Sequence, residues 1–163
     1  MEGGRRANRS GRVLENIVES VFQTHGYQIV PYTEWSKKQD QYAGARLLLK
    51  NVPYTTIYGH TGRSEFVVVL DGQPRIRIEC KWQQSSGSVD EKFPYLYLNA
   101  VEAMPEPTVV IIVDGGGAKA HAVNWLRAAA ENRLYVANPS KSIRVLDSTG
   151  FVRWANDVLP TLG

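Results

Sequence analysis

Charged and apolar residues alternate without interruption over residues 75–82, in the stretch Arg-Ile-Arg-Ile-Glu-Cys-Lys-Trp. Because a β-strand sends successive side chains to opposite faces, the charged residues are predicted to share one face: Arg75, Arg77, Glu79 and Lys81. A carboxylate and an ammonium group two positions apart on a rigid strand can hold a divalent metal and a water molecule side by side, which suits phosphodiester hydrolysis. A solvated strand face with ion pairs explains the same eight residues, so both interpretations are open on this stretch alone.

A second carboxylate is expected close to Glu79. Turn residues separate a strand at 65–70 from the strand at 75–82, which predicts a β-hairpin. If residues 71–73 form a three-residue loop, Glu65 lies opposite Glu79 on the same face, with Cβ atoms roughly 4.5–5.5 Å apart. Two carboxylates that close repel each other, and a divalent cation such as Mg²⁺ would remove the conflict. A two- or four-residue loop without a bulge would instead turn Glu65 to the opposite face.

Lys81 completes this set of side chains. Its ammonium group could stabilise the negative charge that develops in the transition state. Alternatively, burial near a metal would lower its pKa and let it act as a base. The sequence leaves these two roles open. Gln83 would share the face if the strand continues that far.

The elements around the hairpin predict an α/β sandwich with a mixed sheet. Apolar residues recur every three or four positions between Ser10 and His25, which predicts an amphipathic helix with Ser10 as N-cap, Glu15 beside its apolar stripe and Gly26 as its stop. Residues 31–60 give no clear element. The other elements predicted are strands at 27–30, 108–113 and 134–137, and helices at 90–103, 118–132 and around 151–159.

Length and composition indicate a single domain over residues 1–163, because 43% hydrophobic residues can build a sizeable core. A single cysteine excludes an internal disulfide and fits a reducing compartment, which favours the cytoplasm. No apolar run approaches the ~20 residues that span a bilayer, so no membrane association is expected. A net charge of +3 is compatible with nucleic-acid binding without establishing it.

Basic residues crowd the first twelve positions among Gly, Asn and Ser: Arg5, Arg6, Arg9 and Arg12. Residues 1–10 are therefore predicted to be a flexible basic arm, of the kind that tracks DNA phosphates. A solvated tail without a partner has the same composition. The aromatic residues Trp35, Tyr54 and Tyr58 could stack on bases or pack in the core.

The residues around the hairpin resemble the signature of the PD-(D/E)xK nuclease superfamily, which includes type II restriction enzymes and archaeal or phage Holliday-junction resolvases. The resemblance is carried by Gly62-Arg63-Ser64-Glu65, a hydrophobic strand, a turn and Ile78-Glu79-Cys80-Lys81-Trp82-Gln83. It covers roughly residues 10–135, because the neighbouring helices and strand follow the superfamily's core order. It implies a restriction-endonuclease-like core, with a mixed central sheet flanked by helices.

The resemblance also implies a site. The metal ligands would be Glu65, Glu79 and the main-chain carbonyl of Cys80, with Lys81 as the superfamily's lysine. Glu15 resembles the helix glutamate that some members add, and Gln83 would assist. The implied cofactor is Mg²⁺, for which Mn²⁺ can substitute. The chain departs from the pattern at two positions, because Glu65 replaces the usual Asp and Ser64 replaces the Pro that often precedes it.

The polar segment 83–95 is similar to Gln-Ser-Gly-Glu-Lys-Pro-Tyr stretches that follow the E-x-K in some restriction-like nucleases. Polar side chains of this kind can contact phosphates or base edges. For Asp90 and Glu91, a helix N-terminus that favours acids is sufficient explanation. The residues predicted to bind DNA are Arg5, Arg6, Arg9, Arg12, Arg63 and Lys92.

These observations predict a Mg²⁺-dependent DNA endonuclease that acts on duplex or branched DNA as a homodimer, either a compact phage-type nuclease or a Holliday-junction resolvase. A type II restriction endonuclease and a non-cleaving DNA-binding module of the same fold are alternatives. A further alternative is a nucleotide-binding protein that uses the glycine-rich turn at residues 114–117. That turn lacks the Gly-Lys-Ser/Thr of a P-loop and the spacing of a dinucleotide fingerprint, so a tight strand-to-helix turn explains it better.

Overall fold

Six strands pair in chain order to form a mixed sheet within the part of the chain that the structure describes. The structure is a computed structural model that describes residues 2–83, 89–116 and 120–162, with the side chains of all of these except residues 2–11 and 89. Strands β1 and β2 pair in parallel, the β2–β3 and β3–β4 pairs are antiparallel, and β4, β5 and β6 are parallel. This confirms the predicted α/β class with a mixed central sheet.

The strands are β1 (Gln28–Pro31), β2 (Leu47–Thr55), β3 (Thr61–Leu70), β4 (Gln73–Trp82), β5 (Thr108–Asp114) and β6 (Ser142–Leu146). The helices are α1 (Glu2–Thr24), α2 (Tyr32–Trp35), α3 (Val89–Glu102), α4 (Ala120–Glu131) and α5 (Ser148–Val158), with short 3₁₀ turns at Gln39–Tyr42 and Leu159–Thr161. None of the helices in the described ranges combines the length and the apolar character needed to cross a membrane.

Helices cover both faces of the sheet. Helices α1 and α5 pack on one face through an apolar cluster that includes Leu14, Val18, Phe22, Phe66, Ile78 and Phe151. Helices α3 and α4 pack on the opposite face through a second cluster that includes Phe93, Tyr97, Val109, Ile111, Leu126 and Val145. Burial of these side chains from water holds the sheet between the two helical layers. Strand β4 therefore has buried residues on both faces.

The β3–β4 hairpin reaches the predicted register by a different route. Leu70 pairs with Gln73, so the loop has two residues, and the three-residue loop predicted for positions 71–73 is wrong. Both loop residues have positive φ, +50° at Asp71 and +73° at Gly72, as in the type I′ turns typical of two-residue hairpins. A bulge follows, because Val68 and Val69 pair with Ile76 and Pro74 and leave one extra residue on β4. Phe66 then pairs with Ile78.

Helix α1 begins earlier than its apolar pattern predicts. Its backbone is helical from Glu2, so the start predicted at Ser10 is wrong, and the segment expected to be a flexible arm continues the helix. The prediction relied on the apolar stripe, which begins only at Val13. Arginine, which occurs four times before that point, favours a helical backbone without any apolar periodicity.

One further prediction needs correction. Residues 134–137 do not form a strand, because Arg133 and Tyr135 have φ of +54° and +61°, which an extended strand does not allow. The strand that pairs with β5 is β6, at Ser142–Leu146.

Candidate active site

Glu79 and Lys81 lie on β4 and line a cleft of about 350 Å³ between the β2–β3 hairpin and helix α3. The Glu79 side chain is only 2% exposed, and its Oε1 accepts a hydrogen bond of 2.6 Å from the Ser64 hydroxyl. The Lys81 ammonium lies 3.3 Å from Glu79 Oε2. One carboxylate oxygen is thus held by a neutral donor and the other by a cation.

Glu65 contacts β4 through the main chain of Cys80. Its Oε2 accepts a hydrogen bond of 2.9 Å from the amide of Cys80, the residue between Glu79 and Lys81. Burial, and then the negative charge of Glu79, raise the pKa of the Glu65 carboxyl to about 7, against the opposing effect of Lys81. The two acids predicted to converge on one pocket are therefore electrostatic neighbours. Among the residues described, however, Glu65 is not one of those that line the cleft.

An irregularity in β3 produces this arrangement. Phe66 packs toward α1, whereas the hydroxyl of Ser64, two positions earlier, reaches Glu79. A regular strand would place these two residues on one face. Asn51, which lies with Glu65 between the pairs Lys50–Phe66 and Val52–Ser64, has a φ of +55° and marks the departure from regular pairing.

A buried polar chain supports Glu79 from behind. Arg77 is 2% exposed and forms a bidentate ion pair with Glu106, with N–O distances of 2.6 and 2.8 Å. Arg77 Nη1 also donates to the Ser64 hydroxyl at 3.0 Å, and that hydroxyl donates to Glu79. The connected order is Glu106, Arg77, Ser64, Glu79. Such a chain orients the last carboxylate because each member is already held by its neighbour.

The sequence pointed to Arg77 only as a member of a charged face, and to Ser64 only as a departure from a pattern. Glu106 gave no signal, since it lies 29 residues from Arg77 and in a connecting segment. Contacts of this kind depend on which segments the fold brings together.

Lys81 is positively charged in this environment. Burial acts to lower the pKa of its ammonium group, but the negative charges of Glu79 and Glu65 outweigh burial and raise that pKa above its ordinary value. An ammonium group can donate hydrogen bonds and stabilise negative charge, whereas it must lose a proton before it can act as a base.

The donor set fits a hard divalent cation. No group of three or more His, Cys, Asp or Glu side chains suited to a metal is found in the described ranges. The carboxylates whose charges act on Lys81 are Glu79 and Glu65, and these are the candidate side-chain donors. Zinc sites in proteins rely on histidine and cysteine ligands, usually three or four in number. Mg²⁺ is commonly held by one or two carboxylates together with water and substrate phosphate, and Glu65 and Glu79 match that chemistry.

The remaining predicted site residues lie around this core. Glu15 is half-buried on α1, and its negative charge adds to burial and to the charge of Glu65 in holding the pKa of the Cys80 thiol well above its ordinary value. Cys80 itself packs against the α1–α5 cluster. Gln83 is buried just after the end of β4, where its main-chain amide donates to the Asp114 carbonyl at 2.9 Å.

Two of the predicted DNA-binding residues come together. Arg63 and Lys92 are exposed and line the same cleft as Glu79 and Lys81. Arg12 is exposed on α1. The side chains of Arg5, Arg6 and Arg9 lie outside the described part of the chain, as do residues 84–88 of the polar segment and Gly117 of the glycine-rich turn.

Comparison with known proteins identifies the family. A model of the PD-(D/E)XK nuclease superfamily domain matches residues 6–159, from within α1 to just past the end of α5. No curated protein and no solved structure gives a significant match. The family match spans nearly the whole chain and includes the hairpin that carries Glu65, Glu79 and Lys81. The chain belongs to the PD-(D/E)XK nuclease superfamily.

Proposed function

We propose that this protein is a Mg²⁺-dependent DNA endonuclease that hydrolyses phosphodiester bonds at the cleft beside Glu79 and Lys81. Membership of a nuclease superfamily supports the reaction class, and its members typically use divalent metals. The observation that carries the proposal is the contact of Glu65, half-buried on β3, with the Cys80 amide, which lies between the buried Glu79 and Lys81 on β4.

Glu65 and Glu79 would hold the cation, with the main-chain carbonyl of Cys80 as a further ligand, and Mn²⁺ could replace Mg²⁺. When bound, the cation would supply positive charge to the scissile phosphate and lower the pKa of water. The Ser64 hydrogen bond fixes Glu79 Oε1, so the orientation of this carboxylate is set before any ligand arrives.

Lys81 would stabilise charge in the reaction. A water oxygen attacks phosphorus, the bond from phosphorus to the 3′-oxygen breaks, one water proton passes to solvent and the leaving oxygen takes up a proton. The products are a 5′-phosphate and a 3′-hydroxyl. The ammonium group of Lys81 lies 3.3 Å from Glu79 Oε2, and there it would bind the phosphate oxygen on which negative charge accumulates. Glu15 and Gln83 would assist from the edges of the site.

Arg63 and Lys92 would hold the DNA backbone across the cleft, because both are exposed cations beside the proposed cutting site. Arg12 would extend the contact along α1, together with Arg5, Arg6 and Arg9. Contacts of this kind position the phosphate chain without reading sequence.

Within this class we favour a compact phage-type nuclease or a Holliday-junction resolvase that acts as a homodimer, since paired cuts in two strands need two sites. A type II restriction endonuclease is the alternative, and it predicts discrete fragments from linear duplex. A resolvase predicts cleavage of four-way junctions and sparing of the duplex. A non-cleaving module predicts DNA binding that Mg²⁺ does not convert to product.

The test is cleavage of junction, plasmid and single-stranded DNA with Mg²⁺, Mn²⁺ or EDTA. We expect Glu79→Ala and Lys81→Ala each to lower cleavage at least ~100-fold while DNA binding survives. Glu131→Ala, at an exposed glutamate on α4, is the matched control and should cut normally. Unchanged cleavage by Glu79→Ala would overturn the proposal.

A further inference from the structure

Tyr58 and Tyr95 form a stacked pair of rings at the cleft. Their centroids lie 4.9 Å apart and their planes differ by 26°. Tyr58 belongs to the turn between β2 and β3, whereas Tyr95 lies on α3 and lines the cleft together with Glu79 and Lys81. The Tyr58 side chain is nevertheless 73% exposed, so most of its ring surface is open to solvent. A pair that served only to close the core would bury both rings.

The turn that carries Tyr58 is held in place by other contacts. The amide of Ile57 donates to the side-chain oxygen of Asn99 at 2.9 Å, which ties the turn to α3, and Asn99 is buried. Within the turn, the amide of Thr56 donates to the His60 carbonyl at 2.9 Å and that of Gly59 to the Thr56 carbonyl at 2.8 Å. The exposed ring is therefore presented on an anchored turn, and attaching the turn to α3 does not depend on the Tyr58 ring.

The cleft beside the Tyr58–Tyr95 pair has a size and a set of side chains suited to binding one nucleotide. The cleft of about 350 Å³ falls within the usual size range of small-molecule sites, roughly 300–1,000 Å³. Exposed cationic side chains, Arg63 and Lys92, line the cleft beside aromatic ones, Tyr54 and Tyr95. Aromatic rings offer stacking surfaces to bases, while cations bind phosphate, and this combination is typical of single-strand binding sites.

We infer that Tyr58 and Tyr95 form a stacking platform for an unpaired base of the substrate, next to the phosphate that is cut. The substrate class is then DNA with an unpaired nucleotide at the cleavage position: a single strand, a flap or a branch point. In continuous duplex the faces of each base are covered by its neighbours, so stacking on a ring would first require the base to be pulled out of the stack, a cost that an unpaired base does not carry. The position of the platform relative to the cut rests on the proposed function, whereas base binding itself does not.

The test measures binding without cleavage, using the full chain in EDTA. The probes are a flap and a continuous duplex of equal length, each carrying 2-aminopurine, at the unpaired position of the flap and at an internal position of the duplex. We expect Tyr58→Ala to weaken flap binding by roughly 5- to 150-fold, the range that one stacked base represents, and to abolish the change in 2-aminopurine fluorescence. Duplex affinity should change less than twofold, and Tyr58→Phe should retain flap binding.

Tyr135→Ala is the matched control, because Tyr135 is another exposed tyrosine, 68% exposed, that is not among the residues lining the cleft in the described chain. It should leave both affinities unchanged. Thermal unfolding of each variant confirms that the fold is intact. Equal losses on flap and duplex, or no loss on either, would overturn the platform, and tighter binding of an RNA strand than of the same DNA strand would overturn the substrate class. Since no cleavage is measured, these outcomes stand even if the proposed hydrolysis fails.

Discussion

The hydroxyl of Ser64 donates a hydrogen bond of 2.6 Å to Glu79 Oε1, and it does so from the position at which related nucleases often carry a proline. A proline side chain has no donor to offer a carboxylate. In this chain Ser64, the residue before Glu65, therefore orients the carboxylate of Glu79. The same hydroxyl accepts from Arg77, so its own direction is set by a buried cation.

Ser64→Ala should weaken Mg²⁺-dependent cleavage more than it lowers the stability of the fold. The substitution leaves Glu79 Oε1 without its donor, and loss of such a supporting contact typically costs about 10- to 100-fold in metal affinity or activity. We expect the Mg²⁺ concentration for half-maximal cleavage to rise, with Ser64→Thr partly restoring it because the hydroxyl is kept. An unchanged Mg²⁺ dependence in Ser64→Ala would contradict an orienting role for this hydroxyl.

Arg77→Met should be strongly destabilising. It leaves the Glu106 carboxylate buried without its partner, and breaking a buried ion pair from one side costs about 3–5 kcal/mol. Urea unfolding measures the loss. The control is Lys50→Met, because the pair of Lys50 with Glu19 is partly exposed and is expected to contribute no more than about 1 kcal/mol. The double variant Arg77→Met with Glu106→Leu should recover part of the loss, and an additive loss would contradict the coupling.

Glu65→Gln should stabilise the protein at pH 8 in EDTA. In the folded chain the pKa of Glu65 is raised to about 7 from an ordinary value of 4.5, first by burial and then by the Glu79 charge. A raised carboxyl pKa means that the folded state binds the proton more tightly, so stability is full below pH 4.5 and declines as pH rises through 7. Thermal unfolding at pH 5 and pH 8 should show this decline in the wild type and a smaller one in Glu65→Gln. Equal declines would mean that Glu65 is not the titrating group.

Arg63→Ala and Lys92→Ala should weaken DNA binding without changing any sequence preference. Each cation that neutralises one phosphate of a duplex contributes about 0.9 to the slope of log affinity against log salt. Each variant should therefore reduce the slope by about that amount. Arg144→Ala is the control, since Arg144 is exposed on β6 and lines a different cavity. A slope that falls equally in Arg144→Ala would show that the cleft is not the main contact.

The local pattern of the chain was sufficient for the fold class, and it predicted the residues of the candidate site. The alternation at 75–82 predicts β4, because strand faces follow directly from the backbone, and the apolar stripe after Val13 predicts most of α1. The motif predicts Glu65, Glu79 and Lys81 as neighbours, which the pairing of β3 with β4 then brings about. Strand β2 gave no clear signal, since its first three residues are all buried and do not alternate with polar ones.

The tertiary structure decided how these parts meet. The bulge beside Val69 brings Phe66 opposite Ile78 in spite of the two-residue turn, and the irregularity at Asn51 then places Ser64, not Glu65, against Glu79. The hydrogen-bonded chain that holds Glu79 runs through Ser64 and Arg77 to Glu106, which lies 29 residues from Arg77. The stacked rings of Tyr58 and Tyr95 belong to residues that are 37 positions apart in the sequence. Local propensities and side-chain periodicity act over a few residues, so the sequence indicated most of the strands and helices and the candidate reactive groups. Register and long-range contacts arise when whole elements pack together, and these fixed where each group points.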